Sequence, residues 1–267
     1  MRTMLTMTQA AAAVVLLVLV QAASAEDAPS VDEIIRKSNH VAYYQGEDGR
    51  ARVKMTITDS QGNTREREFT ILRRNMDDED REQRFYVYFH SPADVREMVF
   101  LVWKYVDRDD NRWLYLPGLD VVRQIAAGDK RTSFVGSAFF YEDVSGRGIQ
   151  EDDHELVEVT DNYYVIKSTP KNPGTVEFDA YTMHIHKSTF IPVRVEYEKN
   201  GNVYRIGEAR QVDTIQGFPT VTRSAMKDVD SGTETTLEYL QVEYNVGLPD
   251  TIFTERFMRR APRQHLN

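Results

Sequence analysis

The sequence contains no cysteine in its 267 residues. This absence excludes disulfide bonds, thiol catalysis, thiolate metal sites and a lipid anchor attached to cysteine. The chain also lacks a glycine-rich phosphate-binding loop and the Gly-x-Ser-x-Gly pattern of serine hydrolases. Short motifs therefore identify no enzyme class for this chain.

Long apolar runs are confined to the N-terminus. Residues 1–25 have the pattern of a secretory leader, with Arg2 near the start, an apolar run over 10–20 and the small-residue site Ala23-Ser24-Ala25. No later segment approaches the roughly 20 apolar residues that a bilayer requires. We therefore expect an exported protein without a membrane anchor, in which residues 26–267 form one domain.

The charge balance is acidic, with 33 Lys and Arg against 42 Asp and Glu and a formal net charge of −9. Removal of the leader would make the net charge one unit more negative. This sign opposes nucleic acid or an anionic membrane face as the main partner. A freely diffusing partner or cargo fits the composition better.

The hydrophobic pattern predicts one helix followed by strands. Ser30 and Glu33 have the spacing of a capping box, and the apolar stripe of the helix runs through residues 31–42. From residue 52 onward the apolar period is two, which is typical of strands. The predicted strands are 52–58, 66–73, 83–90, 98–106, 112–116, 155–160, 163–169, 177–187, 193–199, 203–212, 220–228 and 234–244.

Turn-forming residues join most of these strands directly, so neighbouring strands should be antiparallel. A sheet of this size must curl, close or split into two. The longest stretch without a strand pattern is 126–150, and a long unpatterned segment in a compact domain is usually functional. The sequence thus predicts a mainly β domain with a few helices and one functional connection.

Two sets of polar residues could carry chemistry. His184 and His186 share one face of a strand, but apolar Met183 and Ile185 alternate with them, so we interpret the histidines as a polar strand face and expect no metal. A glycosidase needs two carboxyl groups roughly 5–9 Å apart, so a secreted hydrolase is one alternative. Its candidate acids are Glu142, Asp143, Glu151, Asp152 and Asp153.

Aromatic and apolar residues cluster in the middle of the chain. Taken singly, each is best interpreted as sheet core. A strongly curved sheet, however, has a concave face that one helix and one connection do not fill, and the remaining space would be an apolar cavity for a small molecule. The strand residues that we predict to line it are Phe85, Val87, Phe89 and Phe100.

Four segments of the chain carry a family resemblance: "WLYLPGLDVVRQI", "DKRTSFVGSAFFYEDV", "YTMHIHKSTFIPVRVEYEKNGNVYRIGEA" and "LPDTIFTERFM". The sequence resembles the outer-membrane lipoprotein-sorting protein family, the LolA-like periplasmic carriers, and especially its longer branch. The resemblance runs through most of the mature chain. The second and third segments are fairly specific when they occur together.

The resemblance implies a curved antiparallel sheet that forms an incomplete, half-open β-barrel around a hydrophobic cavity, with helices and loops as a lid. By similarity, one cavity strand would carry Trp113, Tyr115 and Pro117. The lid would carry Phe134, Phe139, Phe140 and Tyr141. Cations near the lid could meet a lipid headgroup, and these are Arg123, Lys130 and Arg131.

The implied function is that of a periplasmic carrier without catalytic residues or cofactors. Such a carrier binds the acyl chains of a lipoprotein or lipid and ferries them toward an outer-membrane acceptor. The longer branch also resembles proteins that accompany large inner-membrane exporters. A periplasmic adaptor or binding subunit of an exporter is therefore the main alternative.

Signal peptidase should cut after Ala25, because small residues precede the cut in leaders of this kind. Intact-mass measurement of protein from the periplasmic fraction should give an N-terminus at Glu26. An N-terminus at Met1 together with membrane retention would contradict the predicted export, since the retained apolar run would then act as an anchor.

Overall fold

The computed structural model describes residues 29–266. The predicted leader, residues 1–25, lies outside the described residues. Between residues 29 and 266, no helix is both long enough and apolar enough to cross a membrane.

Thirteen antiparallel strands form one sheet. The strands are β1 (Asp48–Thr58), β2 (Thr64–Asn75), β3 (Glu82–Ser91), β4 (Val99–Tyr105), β5 (Asn111–Leu116), β6 (Val121–Ile125), β7 (Asp152–Val159), β8 (Tyr163–Pro170), β9 (Ala180–His186), β10 (Pro192–Lys199), β11 (Asn202–Ile215), β12 (Phe218–Asp228) and β13 (Glu234–Tyr244). Their order across the sheet is β6-β5-β4-β3-β2-β1-β13-β12-β11-β10-β9-β8-β7. The edge strands β6 and β7 are not paired with each other, so the sheet does not close into a barrel.

The chain builds this sheet in two passes. Strands β1 to β6 are added one after another toward one edge, and β7 to β13 run from the other edge back to β1. Residues 126–150, called the lid segment below, join the two edges and contain the short helix α2 (Tyr141–Ser145). Because Phe134 and Tyr141 pack with inward residues of the sheet, the lid segment covers the concave face.

The predicted mainly β architecture is confirmed, and each of the twelve predicted strands is present. The prediction missed β6, whose five residues Val-Val-Arg-Gln-Ile do not alternate between apolar and polar. This strand forms because the turn Pro117–Leu119 brings it back beside β5.

The predicted N-terminal helix forms as α1 (Val31–Asn39). The Ser30 hydroxyl accepts a hydrogen bond from the Glu33 amide at 3.2 Å, as expected of an N-cap. The Glu33 carboxylate pairs with Lys37 at 2.7 Å. A π-helical turn, His40–Tyr44, extends the helix. The buried face of α1 packs on β8 and β9, where Ile34 and Ile35 meet Ile166 and Ile185.

The region from β2 to β5 is covered on both faces. Its concave face packs under the lid segment, and its convex face packs under residues 246–266, the C-terminal strap, which includes α3 (Glu255–Arg259). Two aromatic side chains of the sheet fix the strap by donating to its carbonyl groups. The Trp103 Nε1 group lies 2.8 Å from the Phe253 oxygen, and the Tyr86 hydroxyl lies 2.7 Å from the Phe257 oxygen.

Replacing Phe253 with Ala should lower the free energy of unfolding by about 3–5 kcal/mol, because it empties a buried aromatic site between the strap and the sheet. Denaturant unfolding measures this change. Leu240→Ala is the control, since Leu240 is exposed and its removal should change the stability by about 0.5 kcal/mol or less. Equal effects of the two substitutions would contradict the strap's assigned role.

Candidate functional site

An apolar cavity of about 360 Å³ lies between the concave face of the sheet and the lid segment. This volume falls in the range of about 300–1,000 Å³ that is usual for small-molecule pockets. Inward residues of β1 to β3 and β10 to β13 form its walls, and the π-helical turn covers one end. The apolar lining includes Met55, Phe69, Ile71, Val195, Met226 and Leu237.

The cavity exists because the inward residues differ in size around the sheet. On β3 and β4 the inward positions carry Phe85, Phe89 and Phe100, which pack against the lid. On β11 the inward positions Gly207 and Ala209 carry little or no side chain, so the sheet and the lid do not meet there. The space between them is the cavity.

Four of the predicted site residues line the cavity: Phe85, Val87, Phe134 and Phe139. Three others, Phe89, Phe100 and Tyr141, do not. They surround the Phe134 ring, with ring centroids at 5.8, 5.6 and 5.5 Å respectively, and form a packed aromatic plug beside the cavity. For these three the cavity prediction is wrong, because the lid fills that part of the concave face.

The resemblance also placed Trp113 and Tyr115 in the cavity, and this expectation is wrong. Residue Leu114 packs into the concave core, so its neighbours in the strand point to the convex face. There Trp113 and Tyr115 pack with the C-terminal strap, and the Trp113 and Trp103 ring centroids lie 5.2 Å apart. Residue Pro117 begins the turn after β5 and is not part of the cavity lining.

The adjacent lid residues Phe139 and Phe140 have different surroundings. While Phe139 lines the cavity, the Phe140 ring lies between two guanidinium groups. The Arg205 group is 4.0 Å from the ring centroid and the Arg131 group 5.2 Å. The prediction that Phe140 lines the cavity is therefore wrong, and its role is to pack against cations.

Buried ion pairs hold the lid segment in place. They involve Lys130 and Arg131, two of the cations that were predicted to meet a lipid headgroup. The Glu142 carboxylate is only 2% exposed and forms an ion pair with Arg131. The Lys130 Nζ lies 2.9 Å from the same carboxylate, and the Arg147 guanidinium lies 3.6 Å from it. Burial by itself would raise the pKa of Glu142, but Arg131 and Lys130 lower it to about 2. The headgroup prediction is corrected for Lys130 and Arg131, whose charges are already matched by carboxylates.

The third predicted headgroup cation, Arg123, is exposed on the edge strand β6. It lies opposite Leu114, on the concave side of that strand. Unlike the buried cations of the lid segment, Arg123 is therefore open to solvent.

Sequence reasoning missed Arg205, which crosses from β11 to the lid segment. It is 1% exposed, forms an ion pair with Asp143 and donates to the Ala138 carbonyl at 3.0 Å. The signal was available in the alternation of β11, because Arg205 shares the inward face with Gly207. An arginine at an inward strand position needs a buried partner.

A second missed cation is Lys104 on β4. Its Nζ donates to the carbonyl groups of Ser145 and Gly146, at the end of α2, and lies 4.9 Å from the Tyr43 ring centroid. Burial lowers the pKa of Lys104 to about 8. Together, Arg205 and Lys104 fasten α2 to two strands on different sides of the concave face.

The carboxylates considered for a hydrolase take part in ion pairs. The Arg147 guanidinium lies 2.9 Å from the Asp152 carboxylate and 2.8 Å from the Glu151 carboxylate. Asp152 also accepts a hydrogen bond from the Tyr181 hydroxyl at 2.7 Å. An exposed carboxylate, Asp153, lies 3.8 Å from Lys171. With its pKa at about 2, Glu142 stays ionised and cannot serve as a general acid near neutral pH.

The paired histidines flank one aromatic ring. The His184 and His186 ring centroids lie 6.4 and 5.8 Å from that of Tyr163. Over residues 29–266, no group of three or more His, Cys, Asp or Glu side chains has an arrangement that could hold a metal ion.

Comparisons with known proteins support this fold. A family model described as "Uncharacterized protein" matches residues 81–260. None of the curated proteins matches the sequence. Among solved structures, a DUF1329 family protein from Desulfovibrio piger is 25% identical with a TM-score of 0.77, and the match covers 85% of this chain and 97% of that one.

Two further solved structures are similar in fold. A domain from Vibrio parahaemolyticus that is assigned to outer membrane lipoprotein sorting is 22% identical, with a TM-score of 0.76, over 85% of this chain and 97% of that one. A LolA superfamily protein from Nitrosomonas europaea is 19% identical, with a TM-score of 0.66, over 86% of this chain and all of that one. At these identities the likeness shows the fold.

Acid should destabilise the protein through Glu142. Its folded pKa of about 2 lies below the ordinary value of 4.5, so its stabilising contribution is present above pH 4.5 and is lost as the pH falls toward 2. The loss should be on the order of 3 kcal/mol at most. Unfolding free energies of the wild type and Glu142→Gln across this range measure it, and parallel pH profiles would contradict the assignment.

Proposed function

This chain belongs to the family that matches residues 81–260 and has the LolA-like fold of outer-membrane lipoprotein-sorting proteins, and from that premise we propose that it is a carrier of acyl chains. The observation that carries the proposal is the apolar cavity left between the lid segment and the small inward residues of β11. The cargo is the acyl part of a lipid or lipoprotein, and the protein acts on it by binding, without catalysis.

The cavity suits a cargo that must be kept from water. Each buried methylene contributes about 0.8 kcal/mol, so about a dozen of them contribute about 10 kcal/mol before the cost of ordering the chain. An acyl chain needs no polar partner inside the cavity. Polar lining groups such as Asp143 and Arg73 already have partners within the protein.

Release of the cargo requires the lid segment to move. A partner can drive that movement only if it binds the open form more tightly than the closed one. The bonds that such a partner must replace are those of Arg205 to Asp143 and of Lys104 to the end of α2. At the turn of the lid segment, Val135 has a φ of 45°, an uncommon conformation for a β-branched residue, which disfavours the closed form.

The periplasm is the compartment in which this carrier works, after export directed by residues 1–25. It accepts its cargo at the inner membrane and delivers it to an outer-membrane acceptor. An adaptor of an inner-membrane exporter would share the compartment but not the cargo. Native mass spectrometry of protein purified from the periplasm separates the two, since a carrier should retain a lipid and an adaptor a transporter.

Replacing Ala209 with Phe should weaken binding of a fluorescent fatty-acyl probe by about tenfold or more. The new ring occupies part of the cavity, and displacing only two methylenes of the probe removes about 1.6 kcal/mol of burial. Titration of the probe by fluorescence measures the change, and a thermal melt checks that the variant is folded.

The matched control is Ala127→Phe, which adds the same ring to an exposed turn of the lid segment outside the cavity. It should leave probe binding unchanged. A folded Ala209→Phe variant that binds the probe as tightly as the wild type and Ala127→Phe would exclude the cavity as the acyl-chain site.

A further inference from the structure

The turn between β5 and β6 exposes apolar side chains at the rim of the sheet. The hairpin tip, residues 116–121, contains the short turn Pro117–Leu119 and the first residue of β6. Of the large hydrophobic residues in the described part of the chain, Leu119 is the most exposed, at 72%, and Val121 is 45% exposed. The tip therefore presents two aliphatic side chains to water.

The tip has a defined conformation that keeps these side chains outward. The Asp120 amide donates to the Pro117 carbonyl at 3.2 Å, and Asp120 adopts a left-handed φ of 48°. The base of the hairpin is buried, because Trp113 and Tyr115 pack under the C-terminal strap. The strap thus stabilises the hairpin up to its tip and leaves Leu119 uncovered.

Arginines lie behind this apolar tip, on the strap and on β6. On the convex side, the Arg259 guanidinium lies 3.8 Å from Asp120 and 5.8 Å from the Tyr115 ring centroid. In the same short helix and just after it, Arg256 and Arg260 are exposed. On the concave side of β6, Arg123 is exposed as well. Two acids, Asp120 and Glu255, lie near Arg259, and a third, Glu97, lies near Tyr115 and pairs with Arg263 at 3.3 Å.

The acidic net charge of −9 does not oppose a role for these cations. Charges in solution are screened over about 8 Å at physiological ionic strength, so a surface meets the charges nearest to it. In the tip itself the charged residue is Asp120, which Arg259 faces at 3.8 Å, and the other arginines behind it are exposed. The expectation that the overall charge disfavours an anionic membrane face therefore does not apply to this part of the molecule.

We propose that the hairpin tip docks the protein reversibly on an anionic lipid bilayer. Leu119 and Val121 enter the headgroup region, and Tyr115, whose hydroxyl donates to Asp120 at 3.2 Å, lies behind them. Residues Arg123, Arg256, Arg259 and Arg260 meet lipid phosphates. The apolar tip and the arginines behind it together favour an anionic bilayer over an uncharged apolar partner. This inference does not rest on the proposed function, because the tip lies outside the cavity.

The test is binding of the mature protein to sedimented vesicles. The wild type should bind vesicles of equal parts phosphatidylcholine and phosphatidylglycerol, and bind vesicles of phosphatidylcholine alone far more weakly. Leu119→Asp should reduce binding to the mixed vesicles about tenfold or more, the effect of no longer burying a leucine. Arg256→Ala and Arg260→Ala should each reduce it about fivefold, since each cation near such a surface contributes about that factor.

Two controls show whether vesicle binding depends on the hairpin tip itself. Leu240→Asp changes another exposed leucine, on β13, and should bind mixed vesicles like the wild type. Ala209→Phe should also bind them normally, so a failure of the carrier proposal and a failure of this one are distinguishable. Circular dichroism and a thermal melt show whether the Leu119→Asp variant is folded.

Three results would overturn the proposal. The wild type could fail to sediment with the mixed vesicles, or Leu119→Asp and Leu240→Asp could reduce binding equally. The third is a concentration-dependent dimer in analytical ultracentrifugation that Leu119→Asp abolishes without any vesicle binding. That outcome would assign the tip to a second copy of this chain.

Discussion

The chain leaves the sheet at β6, on one edge, and must re-enter it at β7, on the opposite edge. A segment that joins the two edges of a curved sheet has to pass over one of its faces. Residues 126–150 pass over the concave face, where Phe134 and Tyr141 pack with inward residues of the sheet. The cavity, its aromatic plug and the buried charges around α2 all follow from this one connection.

The crossing segment is positioned largely by charge. Desolvating an ion pair offsets much of its attraction, so buried pairs such as Arg205 with Asp143 are weak sources of stability. They do select one arrangement of the segment, because any other arrangement leaves a buried charge without its partner. An apolar segment of this length could pack in several ways. The network around Glu142 and Arg205 therefore defines where the lid segment lies and where the cavity remains.

The sequence was sufficient to predict the strands, but it did not predict which part of the chain packs against each face of the sheet. Period-two alternation predicted twelve strands, and the missing alternation in β6 explains why that strand was not found. Alternation also indicates that Trp113 and Leu114 lie on different faces, but it does not say which face is concave. The resemblance therefore assigned Trp113 and Tyr115 to the cavity, whereas the C-terminal strap, some 140 residues later in the chain, covers them.

Mechanically, the sheet is stiff on one side and compliant on the other. The strands β2 to β5 lie between two packed layers, so a displacement there would disturb close packing on both faces. Strands β10 to β12 have the cavity on one face and exposed charged residues such as Arg210 on the other. A bulkier cargo in the cavity would therefore bend strands β10 to β12 outward, and strands β2 to β5 would keep their shape.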